Sequence, residues 1–129
     1  MPVKKVVIIP EGGAKPLAPY SPGIRVGDFV YTAGQIALDP ETGNLIDGDV
    51  QAETRQALDN LGQVLQAGGS SFASVVKTTV FLRDINDYAA VNEVYGEYFG
   101  DDPPARSAVQ VTALPAGAAV EIEAVAVVE

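Results

Sequence analysis

The stretch "SVVKTTVFLRDINDYAAVNEVYGEYFG", Ser74–Gly100, decides the fold class, because the spacing of its apolar residues changes partway along. Its first part is β-branched, and alternation puts Val76, Thr78, Val80 and Leu82 on one side, the pattern of a strand. A polar break follows, in which Asp84 or Asn86 can cap a helix. Tyr88, Val91, Tyr95, Tyr98 and Phe99 then recur at helical spacing, and Gly100 stops the run. Strand and helix side by side in one short segment exclude an all-helical or all-strand domain.

Working outward, "ARSAVQV" (105–111) and "AVEIEAVAVV" (119–128) read as two final strands joined by "TALPAGA". Upstream, "VQAETRQALDNLGQVLQAGG" follows a potential N-cap at Asp49. It gathers Ala57, Leu58, Leu61, Val64 and Leu65 on one helical face and ends at Gly68-Gly69. Further back, "IRVGDFVYTAGQI" predicts a hairpin turning at Val26-Gly27-Asp28. The order is strands, helix, strand, helix, strands. It predicts an α+β fold over residues 1–129, with two helices packed on one face of a mixed β-sheet. In the last strand Val120, Ile122, Ala124 and Ala126 fall on one side, and Glu121, Glu123, Val125 and Val127 on the other. Apolar residues on both sides predict that the face away from the helices meets another subunit.

Composition narrows the chemistry. The chain has no cysteine and no histidine, which excludes thiolate nucleophiles, serine–histidine triads and most zinc sites. What remains is carboxylates, arginine, lysine, tyrosine, hydroxyls, backbone dipoles and water. That set suits hydrolysis of a substrate that is already reactive. Seventeen acidic residues against eight basic ones give a net charge of −9, so no nucleic-acid partner is expected. No apolar run is long enough for a membrane span, and "MPVKKVVIIPEGG" reads as a first strand with no cleavage site after it. A cytoplasmic protein is expected. "EGGAKPLAPYSPG" (11–23), rich in proline and glycine, is expected to be ordered but irregular.

Few residues are then left to carry chemistry. Arg106, in "PPARSAVQV", is one of only four arginines and stands at the mouth of a strand. A guanidinium fork there suits a small carboxylate, and it equally suits a surface ion pair. Glu121 and Glu123 share one side of the last strand, either as a solvated face or as a place to polarise water. If the last two strands pair with each other, Glu121 comes near the Arg106–Ala108 end of its partner. Tyr20 reads as a loop anchor or a site wall, and Gly34 as a turn glycine or an exposed N–H for a ligand oxygen. "DPETGNLIDGD" lacks the closing glutamate of an EF-hand loop, and no phosphate-binding or dinucleotide motif is present.

Taken together, "APYSPGI", "VYTAGQI", "DPETGNL", "QALDNL", "VVKTTVFLRDINDYAAVNEVY", "PPARSAVQV" and "VEIEAVAV" resemble the RidA (YjgF-like) reactive intermediate deaminases, over nearly the whole chain. The resemblance implies a chorismate-mutase-like fold that assembles as a homotrimeric barrel, with three clefts between subunits. It implies hydrolysis of reactive 2-imino or 2-enamino acids, such as 2-aminoacrylate, to 2-keto acids and ammonia, with no cofactor and no metal. By motif it puts Arg106 on the substrate carboxylate and Glu121 on the attacking water. It further puts Tyr20 in the cleft wall, the Gly34 backbone beside the carboxylate and the Ala108 backbone at the imine nitrogen. Ala108 and Ala33 stand where the family often has cysteine and serine. The other outcome compatible with the motifs is a non-catalytic trimer that binds small keto acids in the same clefts.

Overall fold

The predicted hairpin forms with its two-residue turn at Gly27-Asp28. Val26 pairs with Phe29, and Gly27 takes φ 57°, the left-handed value that such a turn demands. It joins β2 (Gly23–Val26) to β3 (Phe29–Thr32), and β1 (Lys5–Ile8) adds to the outer side of β2. The computed structural model describes residues 3–13, 16 and 18–129. Part of the irregular proline- and glycine-rich segment, at 14, 15 and 17, therefore lies outside the described residues.

The helix α1 (Val50–Ala67) begins where its cap predicts, with the Asp49 carboxylate accepting the Ala52 N–H at 2.9 Å. It ends at Gly68-Gly69, where Gly69 takes φ 85°. β4 (Val75–Leu82) follows, then α2 (Tyr88–Phe99), β5 (Ala105–Gln110) and β6 (Val120–Val127). Among the described residues six strands lie in the order β1-β2-β3-β6-β4-β5, and β4–β5 is the one parallel pair. Leu58, Leu61, Val64 and Leu65 of α1, with Val91, Val94, Tyr95 and Phe99 of α2, form one core with Val30, Val80, Leu82, Val120, Ile122, Ala124 and Ala126 of the sheet. The α+β architecture, with both helices on one face of a mixed sheet, is as expected. No helix among the described residues is long and apolar enough to cross a membrane.

Two expectations need correction, and one pairing that the sequence left open is resolved. The alternation in β4 slips at its start: Val75 faces Ala126 while Lys77 faces Val125, so Val76 is the extra residue of a bulge. Val75 is consequently buried and Val76 is 44% exposed, the reverse of simple alternation. In α2, Tyr88 is exposed and Tyr98 only partly buried, and Val94 fills the core position instead. Tyr88 stands in the first turn, beside β5, while the Tyr98 hydroxyl reaches out to the Asp59 carboxylate at 2.9 Å. Finally, β5 and β6 do not pair with each other. The segment from α2 returns β5 parallel to β4 on its outer side, and β6 inserts between β3 and β4.

Burial makes the helix–sheet contact the main source of stability. Leu61→Ala should cost about 2–5 kcal/mol through the cavity it leaves, and Asp49→Ala about 1 kcal/mol through the lost cap. Urea denaturation midpoints would check both, and a cost at Leu61 no larger than that at Asp49 would contradict the packing described.

Candidate functional site

Two clusters hold the candidate residues. The first lies where the chain leaves β3. The Thr32 hydroxyl accepts the Ala124 N–H at 3.0 Å, Ala33 N–H donates to the Pro22 carbonyl at 2.9 Å, and Gln35 and Ile122 exchange two backbone bonds at 2.8 and 3.0 Å. These bonds hold Gly34 hard against Glu121. A Cβ added to Gly34 would fall 2.6 Å from the Glu121 Cδ and 2.9 Å from its Oε2, so only glycine leaves the carboxylate its place. The next turn of chain is fixed to α1 by Asn60, whose side-chain amide donates to the carbonyls of Ile36 at 3.1 Å and Leu38 at 2.9 Å. A cavity of about 500 Å³ opens here, lined by Tyr20, Gly34, Gln35, Ile36, Asn60 and Glu121 among others. Burial raises the Glu121 carboxyl above its ordinary pKa, and the charge of Glu123 raises it further.

The second cluster lies on the helix side of the sheet edge. Arg106 pairs with Thr78 across β4–β5, and its guanidinium lies 4.7 Å from the centroid of the Tyr95 ring and 5.5 Å from that of Tyr88. One Nη donates to the Tyr88 hydroxyl at 3.0 Å. Tyr95 is anchored in turn by a buried hydroxyl–hydroxyl bond to Thr78, 2.7 Å. Burial raises the Tyr95 pKa, and the bond to Thr78 and the charge of Arg106 oppose that rise. Ala108, half-buried, follows Arg106 on the same side of β5, opposite Val80.

The two clusters do not meet. Glu121 faces Phe81 and Arg106 faces Thr78, so the carboxylate and the guanidinium leave opposite faces of the sheet with β4 between them. The hairpin that would have joined them is absent, as the strand order requires. Within the chain the structure gathers Tyr20, Gly34 and Glu121, and separately Arg106 and Ala108. Arg55–Glu97 is the only ion pair among the described residues, at 2.9 Å, so neither Arg106 nor Glu121 is neutralised by one. No group of three or more His, Cys, Asp or Glu side chains suited to a metal ion occurs among them either.

Sequence reading missed Thr78, Tyr88 and Tyr95 as the bed of Arg106, having assigned them to the strand and the helix stripe. The available signal was the pair of tyrosines seven residues apart on the helix that leads into the arginine-bearing strand. It also missed Asn60, which looks in sequence like one more polar residue of an amphipathic helix.

This geometry occurs in a chain with many relatives. The family model Endoribonuclease L-PSP matches residues 12–128. A RutC family protein of Pyrococcus horikoshii is 50% identical over 122 residues, 95% of this chain and 97% of the relative. A mouse protein named 2-iminobutanoate/2-iminopropanoate deaminase is 49% identical over 125 residues, 97% of this chain and 92% of its own length. The crystal structure of Escherichia coli TdcF with bound serine superposes with a TM-score of 0.90 at 38% identity, covering 96% of this chain and 98% of TdcF.

The electrostatics of Glu121 can be checked directly. In a pH titration followed by carboxyl NMR, Glu121 should titrate above the ordinary glutamate value. Glu123→Gln should lower that midpoint, because a like charge is removed, and still leave it raised by burial. A midpoint that does not move on Glu123→Gln would contradict the coupling.

Proposed function

The chain belongs to the Endoribonuclease L-PSP family, the YjgF/RidA proteins, and from that premise we propose that it hydrolyses small 2-imino and 2-enamino acids, such as 2-aminoacrylate, to 2-keto acids and ammonia. Arg106 holds the substrate carboxylate with its guanidinium fork, and Glu121 holds and deprotonates the attacking water. Water adds to the C=N carbon to form a carbinolamine. As the carbinolamine forms, nitrogen takes the water proton back from Glu121. Glu121 then removes the carbinolamine hydroxyl proton and passes it to nitrogen, so that the C=O bond forms as the C–N bond breaks and the keto acid and ammonia leave. A 2-enamino acid such as 2-aminoacrylate enters as its imine tautomer. The backbone at Gly34 supports the carboxylate, the backbone at Ala108 orients the nitrogen, and Tyr20 walls the cleft.

The observation that carries this reading is the charge arrangement. A half-buried guanidinium, held by tyrosines and without a salt bridge, suits a carboxylate ligand; a carboxyl group whose pKa is raised by burial and a like charge is a stronger base when ionised. Two further facts agree. Relatives about half identical to this chain are named for this reaction. TdcF holds serine, an amino acid with the same three-carbon skeleton as 2-aminoacrylate. Because Arg106 and Glu121 leave opposite faces of one sheet, each site takes Arg106 from one copy and Glu121 from a neighbour, which fits a homotrimer with clefts between subunits. An imine is already electrophilic, so orientation and a placed base are sufficient chemistry for a chain without histidine. The word endoribonuclease in the family's description finds little support in a chain of net charge −9.

Imine decay tests the reading. With 2-aminoacrylate generated by a pyridoxal-phosphate-dependent dehydratase, the wild-type protein should accelerate loss of the imine. Arg106→Ala should abolish the effect. Glu121→Gln should reduce turnover by roughly 10²–10⁴-fold while keto acids still bind. Keto-acid binding without any acceleration by the wild type would replace the enzyme with a carboxylate-binding module, and near-normal turnover by Arg106→Ala would remove Arg106 from the site.

A further inference from the structure

We infer that the Tyr88 hydroxyl is a second donor to the substrate carboxylate, acting beside Arg106 and selecting carboxylate-bearing ligands over neutral ones. The inference rests on the reading of Arg106 as the carboxylate-binding group, and it assigns a role to a residue that the reaction scheme above leaves idle.

The argument starts from the direction of one hydrogen bond. A guanidinium carries only donors, so in the 3.0 Å contact the Tyr88 oxygen accepts from the Arg106 Nη. The phenolic proton must therefore point away from Arg106, and Tyr88 is 42% exposed. No acceptor for that proton is found among the described residues. An O–H and the free N–H groups of a guanidinium thus stand one hydrogen bond apart at the same sheet edge, all of them donors. A carboxylate has two oxygens and about four lone-pair directions. One oxygen can sit on the arginine fork and the other can accept from Tyr88. A carboxamide offers one acceptor oxygen and brings an NH₂ that would face donors.

The position of the hydroxyl is well fixed. Tyr88 is the first residue of α2, and the turn before it is tied down twice. Asp84 accepts the Asn86 N–H at 2.9 Å, and the Gln110 side chain, on β5 itself, accepts the Ile85 N–H at 2.7 Å. Gln110 thereby couples the start of α2 to the strand that carries Arg106. On its other side Arg106 rests on Tyr95, which Thr78 holds. Donor and guanidinium are preorganised together, so a ligand bonding both need order neither.

Tyr88→Phe tests this, because it keeps the ring and its cation–π contact and removes only the hydroxyl. Inhibition of imine hydrolysis by 2-ketobutyrate and by 2-ketobutyramide would be compared in wild type and Tyr88→Phe, and direct binding of both compounds followed by ligand NMR in these two and in Arg106→Ala. In Tyr88→Phe the inhibition constant for the keto acid should rise about tenfold, that for the amide should stay unchanged, and kcat/KM for the imino acid should fall about tenfold, mainly through KM. An unchanged keto-acid constant would overturn the inference while leaving Arg106 in its role. Equal weakening of acid and amide would also overturn it, by making Tyr88 a packing residue. If Arg106→Ala binds the keto acid as tightly as wild type, the reading of Arg106 fails, and the role of Tyr88 fails with it.

Discussion

Parallel pairing of β4 with β5 is the constraint from which the rest of the molecule follows. A parallel pair needs a crossover, and here α2 supplies it, packing on the sheet face where Tyr95 meets Thr78 of β4 and Tyr88 and Tyr95 meet Arg106 of β5. That geometry brings Tyr88 and Tyr95 onto the guanidinium. It also makes β5 an edge strand and leaves the other side of β4 to β6. Glu121 then emerges on the opposite face, where the bend after β3 and the missing side chain of Gly34 give it room. Had β5 and β6 paired as a hairpin, one chain could have held both groups side by side.

The two halves of the proposed site use different physics. Around Arg106 the surroundings are aromatic and hydroxylic, so the charge is held in place by ring faces and one hydroxyl, and no carboxylate among the described residues pairs with it. Around Glu121 the controlling effects are burial and the neighbouring Glu123, both of which favour the protonated form and make the group a better base when ionised. A cation waiting for a carboxylate and a carboxylate tuned for a proton are complementary requirements of imine hydrolysis. In a chain so acidic overall, the positive spot is local, which suits a small anion better than a polymer.

Much of this was legible in the sequence because it is local. The Gly27 turn, the Asp49 cap, the Gly68 and Gly100 stops and the buried faces of α1 and β6 each depend on residues within a turn or two, and each stands as read. The bulge at Val76 and the neighbours of β5 depend on which strand lies alongside, which no local spacing records. The same distinction holds for the site. Of the residues proposed for it, Arg106, Glu121, Tyr20 and Gly34 could be singled out by residue type and position, and Ala108 by the resemblance alone. That they belong to two separate clusters could not, because it follows from strand order. Tyr95 gave a correct signal of burial and none of its contact with Arg106, since a core tyrosine and a platform for an arginine have the same helical spacing. Gly34 shows the converse case: its φ is not left-handed, and its requirement is set by a side chain 87 positions away.

Complementation between two inactive variants tests the composite site most directly. Arg106→Ala and Glu121→Gln chains would be coexpressed with different tags, the mixed assemblies purified through both tags, and imine hydrolysis measured against each variant alone. A site built from Arg106 of one copy and Glu121 of its neighbour predicts recovered turnover, roughly a third of the wild-type value, because every mixed closed ring of three has one interface that joins an intact Arg106 to an intact Glu121. Mixed assemblies as inactive as their parents would contradict it, because they would mean that both groups must come from one chain.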